Sequence, residues 1–193
     1  MSKILILTMH KVGSSSMLRG LKAEGHEVDK GYAENITELP PLAYYDAIYT
    51  TVRDPIARNV SYLFEMHGNR LLQESMRLER IKEVFFTGVD QLYPLTWFDK
   101  VYYPIVGLDV YKYDFPENGI LILGKALIMR MEQMKFEHRA ETETTRPYGA
   151  LYHEFEKWVK FPKWYLDDMY ESEFTKHFFT PKEIEKLYAR WIE

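Results

Sequence analysis

The apolar run Ile4-Leu-Ile-Leu7 is short and unbroken and leads into a Gly/Ser turn, which marks residues 4–8 as a buried strand. Residues 14–24 read as a helix, with Arg19 and Lys22 near its C-terminal end and Gly25 as its stop. Residues 27–32 read as a second strand, and Pro40-Pro41 marks a turn. Ala47-Ile-Tyr-Thr-Thr-Val52 is β-branched and aromatic, the composition of a strand. Asp54 is placed to cap the next helix with Pro55 at its first position, and that helix is expected to run to about Met66 and close at Gly68. Another helix is expected over 69–86. Residues 109–113 and 120–123 pattern as a hairpin around Pro116-Glu-Asn-Gly119, and 125–131 as a further buried strand. From Pro147 onward the pattern is helical, broken at Pro162 and Pro181. Strands alternate with helices early and short antiparallel elements follow. The expected fold is therefore α/β: a three-layer domain with a mainly parallel central sheet, a P-loop-like strand–loop–helix at the N-terminus and a helical C-terminal part. No repeat, low-complexity tract or linker divides residues 1–193, which read as one domain.

Composition narrows the partners. The chain has 193 residues, 46% hydrophobic and 28% charged, enough for a full core in a soluble globular protein. A net charge of −4 argues against bulk electrostatic binding to nucleic acid. There is no cysteine, which removes disulfides and thiolate metal sites, and His138 and His177 are isolated, so no metal spacing exists. The N-terminus enters a strand without a signal-peptide pattern, and no apolar run approaches membrane-spanning length, so a cytoplasmic location is expected. The fifteen tyrosines serve either as core filler or as stacking platforms for a base or a sugar. Tyr152, Trp158, Trp164 and Tyr165 fall at helical spacing and read as core or lid packing, while the acidic stretch 137–143 reads as a solvated loop.

Two elements carry chemistry. In the first, His10-Lys-Val-Gly-Ser-Ser-Ser-Met-Leu-Arg19 leads from a strand into a helix. Unpaired backbone N–H groups at a helix start suit an anionic, phosphate-like group. Gly13 permits close approach, Ser14, Ser15 and Ser16 add donors without bulk, and Lys11 adds a mobile positive charge. An ordinary helix start with a solvated lysine would explain this loop equally well on its own. The second element is Thr51-Val-Arg-Asp-Pro-Ile-Ala-Arg-Asn-Val-Ser-Tyr62. It puts Arg53 at the carboxyl end of a strand and Ser61 eight residues on, both able to face the crevice where open α/β sheets bind ligands. Arginine offers a planar fork of donors to a phosphate and serine a hydroxyl. Arg58 reads as a surface or ion-pair residue.

With both elements in place the chain resembles the P-loop-like sulfotransferases, whose donor is 3′-phosphoadenosine 5′-phosphosulfate. Lys11-Val12-Gly13-Ser14-Ser15-Ser16 matches their 5′-phosphosulfate loop, and Arg53 with Ser61 matches their 3′-phosphate pair. Arg53-Asp-Pro with the second arginine at 58 is similar to the carbohydrate-directed branch. Ala126-Leu-Ile-Met-Arg-Met-Glu132 resembles a late strand of these enzymes that ends in an acid. Trp97-Phe-Asp-Lys, residues 107–115 and residues 174–180 resemble a bacterial capsular polysaccharide synthesis group. That group carries an Asn-Lys-Trp-Tyr-Ser stretch where this chain has Thr145-Arg-Pro-Tyr-Gly149, leaving Arg146 as the one basic equivalent. The resemblance implies that the backbone of Gly13–Ser16 holds the 5′-phosphate, Arg53 and Ser61 the 3′-phosphate, and Lys11 the bridging or leaving oxygen. It implies no metal.

An acceptor hydroxyl needs a general base within hydrogen-bond reach. Asp29 is the first choice for that base, with His26 and Glu34 behind it, and His67 could face the acceptor side. Three functions compete. The first is a sulfotransferase acting on a carbohydrate or another small hydroxyl acceptor. The second is a P-loop kinase or NTPase, disfavoured because Lys11 precedes the glycine and no Gly-x4-Gly-Lys-Ser/Thr loop is present. The third is a non-catalytic nucleotide- or glycan-binding module of a polysaccharide biosynthesis pathway.

Overall fold

The computed structural model describes residues 1–134 and 146–193; His138, the acidic stretch 137–143 and Thr145 lie outside the described residues. The fold is α/β, with helices and one mainly parallel five-stranded sheet. Two compact units divide the chain. One contains residues 1–53, 96–140 and 177–179, the other residues 54–95, 141–176 and 180–193.

The first unit holds the sheet. Its strands are β1 (Lys3–Leu7), β2 (Glu27–Gly31), β3 (Ala47–Val52), β4 (Ile120–Leu123) and β5 (Ala126–Arg130), in the order β2-β1-β3-β5-β4. All pairings are parallel except that of β4 with β5. β1 is paired on both edges and buried on both faces, Ile4 to Leu7 alike, which is why it is an unbroken apolar run. Helix α1 (Ser14–Ala23) lays Met17 and Leu21 on Ile4, Ile6 and Val28. It ends as its composition predicts: Gly25 takes φ 87°, and the His26 N–H closes back on the Leu21 carbonyl at 3.1 Å.

The expected hairpin is displaced. Residues 109–113 form no strand; Val110–Lys112 is a single 3₁₀ turn with Asp109 accepting from the Tyr111 N–H. The hairpin joins β4 to β5 instead, through Gly124-Lys125, with Leu123 facing Ala126. Gly124 supplies the positive φ (57°) that a two-residue turn requires, a stronger local determinant than the Pro116–Gly119 stretch.

Residues 96–115 are largely helical, with a π turn over Phe98–Tyr102. One extra residue in that turn brings Trp97 and Tyr102, five apart in sequence, to a ring separation of 5.7 Å. Phe98, Tyr111 and Phe115 pack around Phe178, so stretches far apart in the chain meet in one aromatic cluster. His177 lies edge-on to Tyr111, and burial pushes its imidazole below the ordinary histidine value despite Asp114 and Asp109.

The second unit is helical. α2 (Pro55–Gln73) starts as expected, with Asp54 accepting from the N–H groups of Ile56 and Ala57 and Pro55 in the first turn. It does not close at Gly68. There the Tyr148 ring lies so near that an added Cβ would sit 2.6 Å from it, so this glycine makes room for an aromatic face inside a continuous helix. The expected 69–86 helix breaks accordingly, and α3 (Leu78–Gly88) begins after a turn in which Ser75 takes φ 47°. Helices Gly149–Trp158, Lys163–Tyr170, Glu173–Phe178 and Pro181–Trp191 follow. Phe64, Phe85, Phe155, Phe161, Tyr165 and Trp191 fill the core of this unit, which assigns Tyr152 and Tyr165 to packing; Trp158 and Trp164 are exposed.

Tyr45, Tyr102, Tyr165 and Tyr170, all buried, hold their phenols above the ordinary value. Burial is the first cause at Tyr45, Tyr102, Tyr165 and Tyr170, joined by the Asp29 hydrogen bond at Tyr45 and the Asp54 charge at Tyr170. The unfolded chain releases these protons near pH 10 while the folded chain keeps them. Stability is therefore fully present below about pH 10 and falls as pH rises above it, by up to about 1.4 kcal/mol per pH unit for each such tyrosine. Urea unfolding at about pH 8 and about pH 11 checks this. The midpoint is expected to drop sharply, and equal midpoints would mean that the phenols ionise in place.

Candidate functional site

The sheet order decides where a ligand can bind. From β1 the chain moves to β2 on one side, whereas β3 lies on the other. The carboxyl ends of β1 and β3 thus form a topological switch point, the crevice that open α/β sheets use. Because Ile6 aligns with Tyr49, residues 51–53 run beyond the end of β1 and alongside the segment that follows it.

That segment is the predicted loop. Lys11 has φ 69° and Gly13 φ 83°, two left-handed residues around Val12. A left-handed lysine is strained and persists only where its surroundings hold it. The holding groups come from β3. Thr50 Oγ1 donates to the Leu7 carbonyl at 2.7 Å, Thr51 Oγ1 to the Val12 carbonyl at 2.8 Å, and Arg53 Nη1 to the Lys11 carbonyl at 2.9 Å. With its carbonyls tied back in this way, the loop leads straight into the α1 N-terminus. Gly13 is the N-cap of α1 and makes no side-chain cap, and the first turn carries no acidic residue. The Ser16 N–H already donates to the Gly13 carbonyl at 3.0 Å, which leaves Ser14 and Ser15 as the residues whose N–H groups have no acceptor within the helix. The positive φ calls for glycine at 13, while the neighbours an added Cβ would meet are the flexible side chains of Met134 and Met131. Ser14 is buried, Ser15 exposed and Ser16 half-buried.

Comparison of the chain with family models, curated proteins and solved structures finds no match. The chemistry of the site rests on its own residues.

Those residues are distributed unevenly. Lys11, Val12, Gly13, Ser14, Ser15, Ser16 and Arg53 come together in the first unit. Ser61 lies on α2 in the second unit, buried. Arg146, also in that unit, is exposed just before the helix Gly149–Trp158. His67 lies on α2 against Gly88 of α3. Asp29 sits in the middle of β2, opposite Leu5, and its carboxylate accepts the Tyr45 O–H at 2.8 Å. Strand alternation turns it away from the face on which Val28 packs against α1. His26 follows Gly25, 3.9 Å from Glu24. Arg58 is not a surface residue. It is buried in the second unit, donates to Asn59 Oδ1 at 3.0 Å and lies against the rings of Tyr62 and Tyr93, and burial brings its guanidinium down to about 10. Among the described residues no group of three or more His, Asp or Glu is placed to hold a metal ion, and no helix is long and apolar enough to cross a membrane.

Sequence reasoning missed His10. It lies between β1 and Lys11, its Nε2 2.8 Å from Glu34 Oε1 and its ring stacked on Tyr32 at 4.2 Å and 4°. Burial pushes the Glu34 carboxyl up, but hydrogen bonds from His10 and the backbone, with the His10 charge, hold it below the ordinary value. The signal was present as a histidine at a strand end, but nothing in the spacing joins residue 10 to residue 34.

Proposed function

We propose that this chain is a sulfotransferase, moving a sulfuryl group from 3′-phosphoadenosine 5′-phosphosulfate to a hydroxyl of a carbohydrate or small-molecule acceptor. The observation that supports the reading is the hydrogen bond from Arg53 to the Lys11 carbonyl, which brings the arginine of the second element against the loop. In this reading the N–H groups of Ser14 and Ser15 hold the 5′-phosphate at the positive end of α1. Arg53 offers its remaining donors to the 3′-phosphate, for which the resemblance names Ser61 as the second contact. The acceptor oxygen forms a bond to sulfur as the bond from sulfur to the 5′-phosphate oxygen breaks. The electron pair stays on that phosphate, where Lys11 stabilises it, and the acceptor proton passes to a base. His10, held by Glu34 next to the loop, is a further candidate for that base beside Asp29.

The position of Asp29 favours the second reading, a nucleotide- or glycan-binding module without turnover, because the carboxylate first chosen as base is engaged with Tyr45. Thermal shift separates the nucleotide classes. Adenosine 3′,5′-bisphosphate is expected to stabilise the protein, by about 2.7 kcal/mol at one hundred times its Kd, and Mg-ATP is not. Stabilisation by Mg-ATP alone points to an NTPase. Transfer from a donor with labelled sulfur separates enzyme from binding module. Lys11→Ala is expected to slow that transfer about 100-fold or more while weakening nucleotide binding far less. Unchanged turnover removes Lys11 from the chemistry.

A further inference from the structure

We propose that Lys30 is a binding residue for the 5′ end of the donor, a second ammonium at the loop beside Lys11; this rests on the reading of the loop as the phosphosulfate site. Lys30 shares the face of β2 on which Val28 packs under α1, so alternation aims it at the helix start. Its Nζ reaches Ser15 Oγ at 3.3 Å and stands 5.2 Å from the centre of the Tyr32 ring. Among the described residues no carboxylate pairs with it. A lone surface lysine is solvated and its long stem is free to swing outward. Its contact with Ser15 directs this one along the surface to the first turn of α1, where the helix is positive and no acidic side chain or cap offsets it. Two groups of like sign converge there, and an anion between them turns their repulsion into attraction on both sides.

The support beneath Lys30 is specific. Tyr32 offers its ring face to the ammonium and stacks its other contact on His10, which Glu34 holds. Lys30 ends the polar positions of β2, Tyr32 follows the strand, and Glu34 lies in the turn after it, where the Asn35 N–H donates to the Tyr32 carbonyl at 3.2 Å. An ammonium is a compact point charge without the fixed fork of arginine. It can follow charge as it moves from the sulfuryl group to the leaving phosphate, whereas a bidentate clamp suits a phosphate that stays put.

The test is calorimetric titration of the parent and Lys30→Met with two ligands, adenosine 3′,5′-bisphosphate and adenosine 3′-phosphate, which lacks the 5′ group. The variant is expected to bind the bisphosphate about tenfold more weakly and the monophosphate as the parent does. Tyr32→Phe is expected to keep bisphosphate affinity and Tyr32→Ala to lose part of it. If the parent binds the bisphosphate and Lys30→Met matches it, or loses affinity equally for both ligands, the Lys30 assignment falls and the loop reading stands. If the parent binds neither ligand, the loop reading fails and Lys30 falls with it.

Discussion

Asp54→Ala is expected to destabilise the protein by about 3–5 kcal/mol. The buried Asp54 carboxylate accepts on both oxygens. Oδ1 accepts from the Ile56 N–H at 3.1 Å and the Tyr170 O–H at 3.0 Å; Oδ2 accepts from the Ala57 N–H at 3.3 Å and the Trp191 Nε1–H at 3.0 Å. Alanine removes the helix cap, worth about 1 kcal/mol, and strands two buried side-chain donors at about 1–3 kcal/mol each. Asparagine tests the geometry. Its NH₂ group must face one pair of donors, so Asp54→Asn is expected to recover about half of the loss. Urea unfolding followed by circular dichroism measures all three proteins. A change under about 1 kcal/mol for alanine would mean that the four donors find other acceptors. The result bears on function because Asp54 is the centre of Arg53-Asp-Pro, where the structure gives it a capping role.

The same motif marks what the sequence could and could not convey. β1, α1, β2, β3 and the start of α2 were legible because each is decided locally, by an apolar run, a β-branched run, a capping aspartate followed by proline, or a glycine that accepts positive φ. The end of α2 was not, because Gly68 means a helix stop only in the absence of a ring packed on it, and Tyr148 lies 80 residues away. Arg58 misled for a similar reason. Charge alone suggests solvent, whereas Asn59, Tyr62 and, from beyond the helix, Tyr93 surround the buried guanidinium. Within the candidate site the loop and Arg53 were legible from spacing. The hydroxyls of Thr50 and Thr51 were not, since in a sequence they are merely two good strand formers. Asp29 and Lys30 show the limit most clearly. They are adjacent and both charged, and a one-residue difference in parity sends them to opposite faces of β2, which composition cannot see.

Arg53→Ala is expected to lose about 100-fold or more in affinity for adenosine 3′,5′-bisphosphate while leaving the fold intact. Arg53 is half-buried and makes one hydrogen bond to the loop, so its removal is expected to lower stability by no more than about 1 kcal/mol. Two causes could produce the affinity loss, however: a missing phosphate contact, or a loop released from its brace. Thr51→Val distinguishes them. It removes the neighbouring brace, the 2.8 Å bond to the Val12 carbonyl, without altering charge. If Arg53 touches phosphate, Thr51→Val weakens binding far less than Arg53→Ala does. Arg53→Lys then falls between, because an ammonium keeps the charge but lacks the planar fork. If the two variants lose equally, Arg53 only shapes the loop. If Arg53→Ala binds the bisphosphate as the parent does, the 3′-phosphate assignment is wrong, and the strongest reason for preferring a sulfuryl donor over other nucleotides goes with it.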